Sequence, residues 1–156
     1  MRWIEPAPPR TPAPLPDLHP LVNQALIRRG FTSAGAARAF LFPEHYNPTP
    51  ATQLPGLSAA VDRIQAAIRA HAPICVWGDF DVDGQRATTI LVSTLQALAA
   101  DVTYHIPVRA KESHGVNIPR LAEIIEPGAK LILTCDTGIT AHQAVDYARS
   151  RGVDVV

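Results

Sequence analysis

The alternation of short strand-like runs with helix-length segments constrains the second half of this 156-residue chain more than any other feature. Residues 74–77, 102–106, 131–135 and 153–156 are too short for helices and are rich in strand-forming side chains. Between them the period changes to that of a helix. Leu91, Leu95 and Leu98 share one stripe of a helix predicted over residues 86–100. Asn117 is placed to cap a helix through Ile125, and Thr140 to cap one running to about Arg151. Pro127-Gly128 and Gly152 stop these last two helices. Such alternation predicts an α/β fold with an open, largely parallel, doubly wound sheet, whose right-handed crossovers bring every strand's carboxyl end to one edge. With the second and third strands flanking the first, a crevice opens at that edge between the first and third.

Two acidic motifs fall there. Gly78-Asp79-Phe80-Asp81-Val82-Asp83-Gly84 follows the first apolar run and carries carboxylates at alternate positions. In an extended segment alternate side chains share a face, so Asp79, Asp81 and Asp83 are expected to converge, and their repulsion calls for a divalent cation. An acidic turn leading into a helix accounts for one of these aspartates but not for three in alternation. The third run ends in Cys135-Asp136-Thr137-Gly138-Ile139-Thr140, which sets Asp136 at the same edge. An aspartate after a strand is by itself an ordinary cap or turn residue. Four carboxylates from two strand ends make an oxygen-rich site suited to Mg²⁺ or Mn²⁺ rather than to zinc. The same features fit a non-catalytic Mg²⁺-binding α/β module that switches or docks.

These two motifs resemble the first and second motifs of the DHH phosphoesterase superfamily, and within it of the RecJ-type single-stranded-DNA exonucleases. The flanks resemble that family too: residues 57–70, with Val61, Ile64 and Ile68 at helical spacing, and upstream Arg29-Gly30-Phe31 and Ala39-Phe40-Leu41-Phe42-Pro43. The likeness spans about residues 20–156 and divides the chain into an extended Pro-rich arm (1–16), a helical segment (17–72) and the first part of a DHH catalytic domain (73–156). It implies that Asp81 and Asp83 each hold one of two Mn²⁺ or Mg²⁺ ions, that Asp136 bridges them, and that Asp79 ligates or orients the others. It implies in-line, two-metal phosphodiester hydrolysis running 5′ to 3′ on single-stranded DNA, in recombination and repair beside a single-strand-binding protein and a helicase. The family's Asp-His-His motif and a later aspartate are absent from these residues, so the chain is expected to hold half of the site and to need the C-terminal remainder of the same enzyme. A DHH phosphodiesterase acting on short oligonucleotides or cyclic dinucleotides would share both motifs.

There are departures from the family pattern. Gln85-Arg86-Ala87 stands where small or hydroxyl residues are usual, and Arg86 in a first helical turn either swings outward or meets a substrate phosphate. In the loop 107–115 the family's Asn-Arg and Tyr-Gly are replaced by Val108-Arg109 and His114-Gly115, so Arg109 and Gly115 keep their places and His114 does not match. Arg109, Arg86, His114 and Gly115 are the expected substrate-binding residues.

Equal numbers of basic and acidic residues, 14 of each, give no electrostatic sign of nucleic-acid binding. Seven of the fifteen prolines lie in the first twenty residues, which have little periodicity. The N-terminus has no secretory h-region and no apolar stretch is long enough to span a bilayer, so a cytoplasmic location with no membrane association is expected. Cys75 and Cys135 are expected to be reduced, buried thiols. The histidines show no ligand spacing, and core packing is the expected role of Trp77 and Phe80.

Overall fold

The computed structural model describes residues 7, 11–112 and 114–156. It forms two compact units, Met1–Gln53 and Leu54–Val156. In the first, α1 (Pro20–Arg28) and α2 (Ala34–Leu41) pack around Leu15, Leu26 and Ala37, and two short 3₁₀ turns, Pro43–His45 and Ala51–Gln53, follow. His19 caps α1 through Nδ1, and Ser33 caps α2 through Oγ. The arm expected over residues 1–16 ends earlier than its proline content suggests, because Pro14 and Leu15 are buried. Asn23 on α1 is the cause. Its side chain accepts from the Leu15 N–H at 3.1 Å and donates to the Leu15 carbonyl at 2.8 Å, so the backbone there is paired like an edge strand. Residues 1–6 and 8–10 of that arm lie outside the described residues.

The second unit is the α/β fold expected. Helix α3 (Leu57–Arg69) leads into β1 (Ile74–Trp77), and α4 (Val82–Ala97), β2 (Val102–His105), the single turn α5 (Arg109–Glu112), α6 (Ile118–Ile125), β3 (Leu131–Thr134), α7 (His142–Ser150) and β4 (Asp154–Val155) follow. All pairings are parallel, in the order β2-β1-β3-β4. The first strand therefore lies between the second and the third. Trp77 pairs with His105 on one side and Thr134 on the other.

Both faces of the sheet are covered, which is why β1 reads as an unbroken apolar run. Ile74, Val76, Leu131 and Leu133 point to one face, where Ile64, Ala67 and Ile68 of α3 and Leu91 and Leu95 of α4 cover them. Cys75, Trp77 and Ile132 point to the other, against Leu121 of α6 and Ala144 and Ala148 of α7. Helix α3 thus belongs with the sheet, although the sequence grouped residues 57–69 with the N-terminal helical segment. That grouping followed chain order; packing decides otherwise.

Helix α4 begins at Val82, four residues before the predicted start, because Asp81 caps it. Helix α7 begins after Ala141 with no side-chain cap, so Thr140 does not cap it as predicted. Asn117 does cap α6, accepting the Arg120 N–H at 3.0 Å.

Candidate metal centre

The carboxyl end of β1 is tied to both of its neighbours, β2 and β3, beyond the strands themselves. The Gly78 N–H donates to the His105 carbonyl at 2.9 Å, and the Cys135 N–H donates to the Trp77 carbonyl at 3.0 Å. Asp79 and Asp136 each follow one residue later, at the shared edge. Asp136 has φ +58°, a left-handed conformation that aspartate tolerates better than most residues.

The three aspartates of the first motif do not share one face of an extended segment, as alternation predicted. Asp79 ends the extended stretch, Asp81 is the N-cap of α4, and Asp83 lies in its first turn. The spacing that looked like a strand is a strand end folded directly into a helix start. Asp79 Oδ1 accepts from the Phe80 N–H at 2.7 Å and Asp81 Oδ1 from the Gly84 N–H at 2.9 Å, which leaves the second oxygen of each for another partner. The two glycines of the motif make this turn possible. A Cβ on Gly84 would lie 2.6 Å from the Asp79 carbonyl oxygen, and one on Gly78 would lie 2.0 Å from Thr88 Oγ1. Thr88 is buried, donates to the Gly84 carbonyl at 2.8 Å and stands 3.5 Å from Cys135 Sγ, so one hydroxyl joins the two acidic motifs.

The electrostatic effect of this arrangement falls on Asp136. Loss of solvation, then the charges of Asp81, Asp83 and Asp79, push the Asp136 carboxyl above the ordinary aspartate range. None of the four aspartates is in an ion pair among the described residues; the pairs formed are Arg63–Asp154, His105–Glu112 and Arg120–Glu123. The donors are all hard oxygens, and none of them has an ion-pair partner among the described residues, so their chemistry fits Mg²⁺ or Mn²⁺. They are not drawn into a closed ligand set: among the described residues no three His, Cys, Asp or Glu side chains are grouped to hold a metal ion.

Of the expected substrate residues, two meet beside this edge. The Arg109 guanidinium lies 5.1 Å from the centroid of the Phe80 ring, and the His114 ring lies 5.7 Å from it. Phe80 is half-buried rather than a core residue, and serves as the platform between Asp79 and Asp81. Gly115 has φ +82° and open space around it, so the loop needs glycine there for backbone conformation. Arg86 is exposed on α4 and lines a shallow groove with Val82, Gln85, Thr89 and Ile90. Cys75 is buried and Cys135 half-buried, and both are free. Sequence reasoning missed His105, Glu112 and Arg120, which form a bonded chain under the loop that carries Arg109. A histidine closing a strand two residues before a proposed site loop was the only signal.

The family model for the DHH family, N-terminal domain, matches residues 73–156, the whole span from β1 to the end of the sheet. The chain belongs to the DHH family. Among curated relatives, the single-stranded-DNA-specific exonuclease RecJ of Bacillus subtilis is 39% identical over 137 residues, covering 88% of this chain and 17% of its own length. The RecJ of Escherichia coli is 33% identical over 146 residues, covering 93% of this chain and 24% of its own. A crystal structure of RecJ in complex with Mn²⁺ from Thermus thermophilus superposes with TM-score 0.59 at 33% identity, covering 86% of this chain and 18% of that one. The chain therefore spans between about a sixth and a quarter of the length of these RecJ relatives. The likeness to the DHH superfamily and to RecJ drawn from the two acidic motifs agrees with all three comparisons.

Proposed function

We propose that this DHH-family chain supplies the first two acidic motifs of a two-metal phosphodiester hydrolase that degrades single-stranded DNA from 5′ to 3′. The observation that carries this reading is the meeting of the two acidic motifs at one sheet edge, where the Cys135 N–H bonds the Trp77 carbonyl and the Thr88 hydroxyl links Gly84 to Cys135. The RecJ identity of the relatives, and the Mn²⁺ of the structural neighbour, support the substrate and the metal. Asp81, Asp83 and Asp136 would hold two Mn²⁺ or Mg²⁺ ions, with Asp79 orienting the turn. Such ions supply an activated water and neutralise charge that builds on the phosphate. The chain's own contribution is to fix the carboxylates through the β1–α4 turn and to set Arg109 beside them, where its guanidinium can pair with a phosphate oxygen.

By the same likeness the enzyme works in repair and recombination in the cytoplasm, with a single-strand-binding protein and a helicase as partners. No helix among the described residues is long and apolar enough to cross a membrane.

Crystals soaked in Mn²⁺ are expected to show anomalous peaks at Asp81, Asp83 and Asp136 once the remaining ligands are supplied. A peak elsewhere, with these aspartates turned onto arginines, removes the proposal. The purified 156-residue chain is expected to be inert, because four carboxylates do not close a two-metal site, whereas joining it to a polypeptide carrying an Asp-His-His motif should give Mn²⁺-dependent hydrolysis. Robust exonuclease activity from the chain alone would falsify the half-site assignment. A substrate-length series then separates the exonuclease from an enzyme of short oligonucleotides, which leaves long strands intact.

A further inference from the structure

We propose that His105 and Glu112 are positioning residues, a clamp that holds Arg109 at the acidic edge; the role of Arg109 rests on the function proposed above. The turn α5 comprises four residues and buries none of them. One turn does not hold itself in water, so its place must be set from outside. Two contacts do this, one at each end.

At the C-terminal end Glu112 reaches back. Its Oε1 accepts the Val108 N–H at 3.2 Å, and its Oε2 lies 2.7 Å from His105 Nε2. His105 closes β2, is 8% exposed, and is wedged against the Trp77 ring with centroids 4.6 Å apart. Its protonation pattern follows from its partners. Arg120 Nε lies 3.4 Å from His105 Nδ1, and an arginine can only donate. Nδ1 is then the acceptor, and the ring's proton sits on Nε2, where it donates to Glu112. Burial opposes the charge of Glu112, but the Val108 N–H, His105 and Arg120 outweigh it and hold the carboxyl below the ordinary glutamate range. The clamp therefore runs from the buried strand end through Glu112 to the residue just before α5.

At the N-terminal end of the same turn, Arg109 lies over Phe80, between Asp79 and Asp81 in sequence. The guanidinium is exposed on its other side and open to an anion. With Glu112 released, nothing in α5 itself keeps Arg109 over the ring. The effect of Glu112 on substrate should thus pass through Arg109.

The test is a double-mutant cycle in the enzyme completed by the segment that carries the remaining ligands. Binding of a single-stranded oligonucleotide is read by fluorescence anisotropy in EDTA, and hydrolysis is read with Mn²⁺. Glu112→Ala is expected to raise Kd and KM about fivefold to tenfold with kcat changed less than about twofold, the signature of lost uniform binding. In an Arg109→Ala background it should change neither by more than about twofold. Glu112→Gln keeps one of the two acceptors and should fall between. His105→Gln restores an N–H near the place of Nε2 and should resemble wild type, whereas His105→Phe keeps the packing on Trp77 and should resemble Glu112→Ala. Additive losses in the Arg109→Ala background, or equal binding by wild type, Glu112→Gln and Glu112→Ala, overturn the clamp. A wild-type enzyme that binds the strand without cutting it refutes the hydrolase reading and leaves the cycle in EDTA to judge the clamp; one that does not bind overturns both.

Discussion

Asp136→Asn in the completed enzyme is expected to cut hydrolysis of single-stranded DNA by about a thousandfold or more, the scale of losing a metal's charge stabilisation. Folding stability measured in EDTA should stay level or rise. The reasoning has two parts. The charges of Asp81, Asp83 and Asp79 already oppose ionisation of Asp136, so removing its charge relieves repulsion in the metal-free protein. The backbone at Asp136 is left-handed, which asparagine accepts, whereas alanine adds strain unrelated to metal. Asparagine therefore separates chemistry from folding where alanine confuses them. Urea unfolding in EDTA together with kcat on a single strand checks both halves. Activity within a few-fold of wild type would remove Asp136 from the metal centre.

Gly84→Ala should cost about 3 kcal/mol of stability, the upper range for forcing an added methyl into a packed site. The new Cβ would meet the backbone of Asp79 at 2.6 Å, and backbone cannot rotate aside as a side chain can. Either α4 retreats from the strand end or the turn at Asp79 opens. Both displace Asp79, Asp81 and Asp83 from Asp136, so Mn²⁺ affinity should fall together with stability. Gly115→Ala is the control. It has open space around it and bears only the cost of φ +82°, about 1 kcal/mol. Calorimetric titration with Mn²⁺ and denaturant melts of the two variants decide the matter. A Gly84→Ala protein as stable as wild type would mean that the close approach of α4 to Asp79 is not real.

The fold was legible because its signals are local and repeated. Apolar runs such as Ile74–Trp77 are continuous only when a strand is covered on both faces, and Asn117 marks its helix start by an unambiguous bond. The acidic edge was legible by position, since strand ends in a parallel sheet share one side. Its local geometry was not. Alternation at Asp79, Asp81 and Asp83 is compatible with a strand or with a turn into a helix, and the choice fell to Gly84, whose missing Cβ lets α4 start at once. The clamp was illegible for a different reason. His105, Glu112 and Arg120 come from a strand end, a one-turn helix and a longer helix, and no periodicity links them.

The central place of β1 in the sheet also sets an order of events in folding. Its neighbour on one side, β2, arrives after a single helical crossover, but its neighbour on the other, β3, follows two further helices along the chain. Closing that longer connection delays the β1–β3 ladder, as it does for any non-local parallel pairing. Until the ladder forms, Asp136 is remote from Asp79, Asp81 and Asp83, and their mutual repulsion does not exist. An order in which β1, α4 and β2 assemble before β3 docks places the electrostatic cost of the acidic edge late in folding. A divalent ion that relieves this cost would accordingly slow unfolding far more than it speeds folding, and so act as a latch on a sheet already assembled.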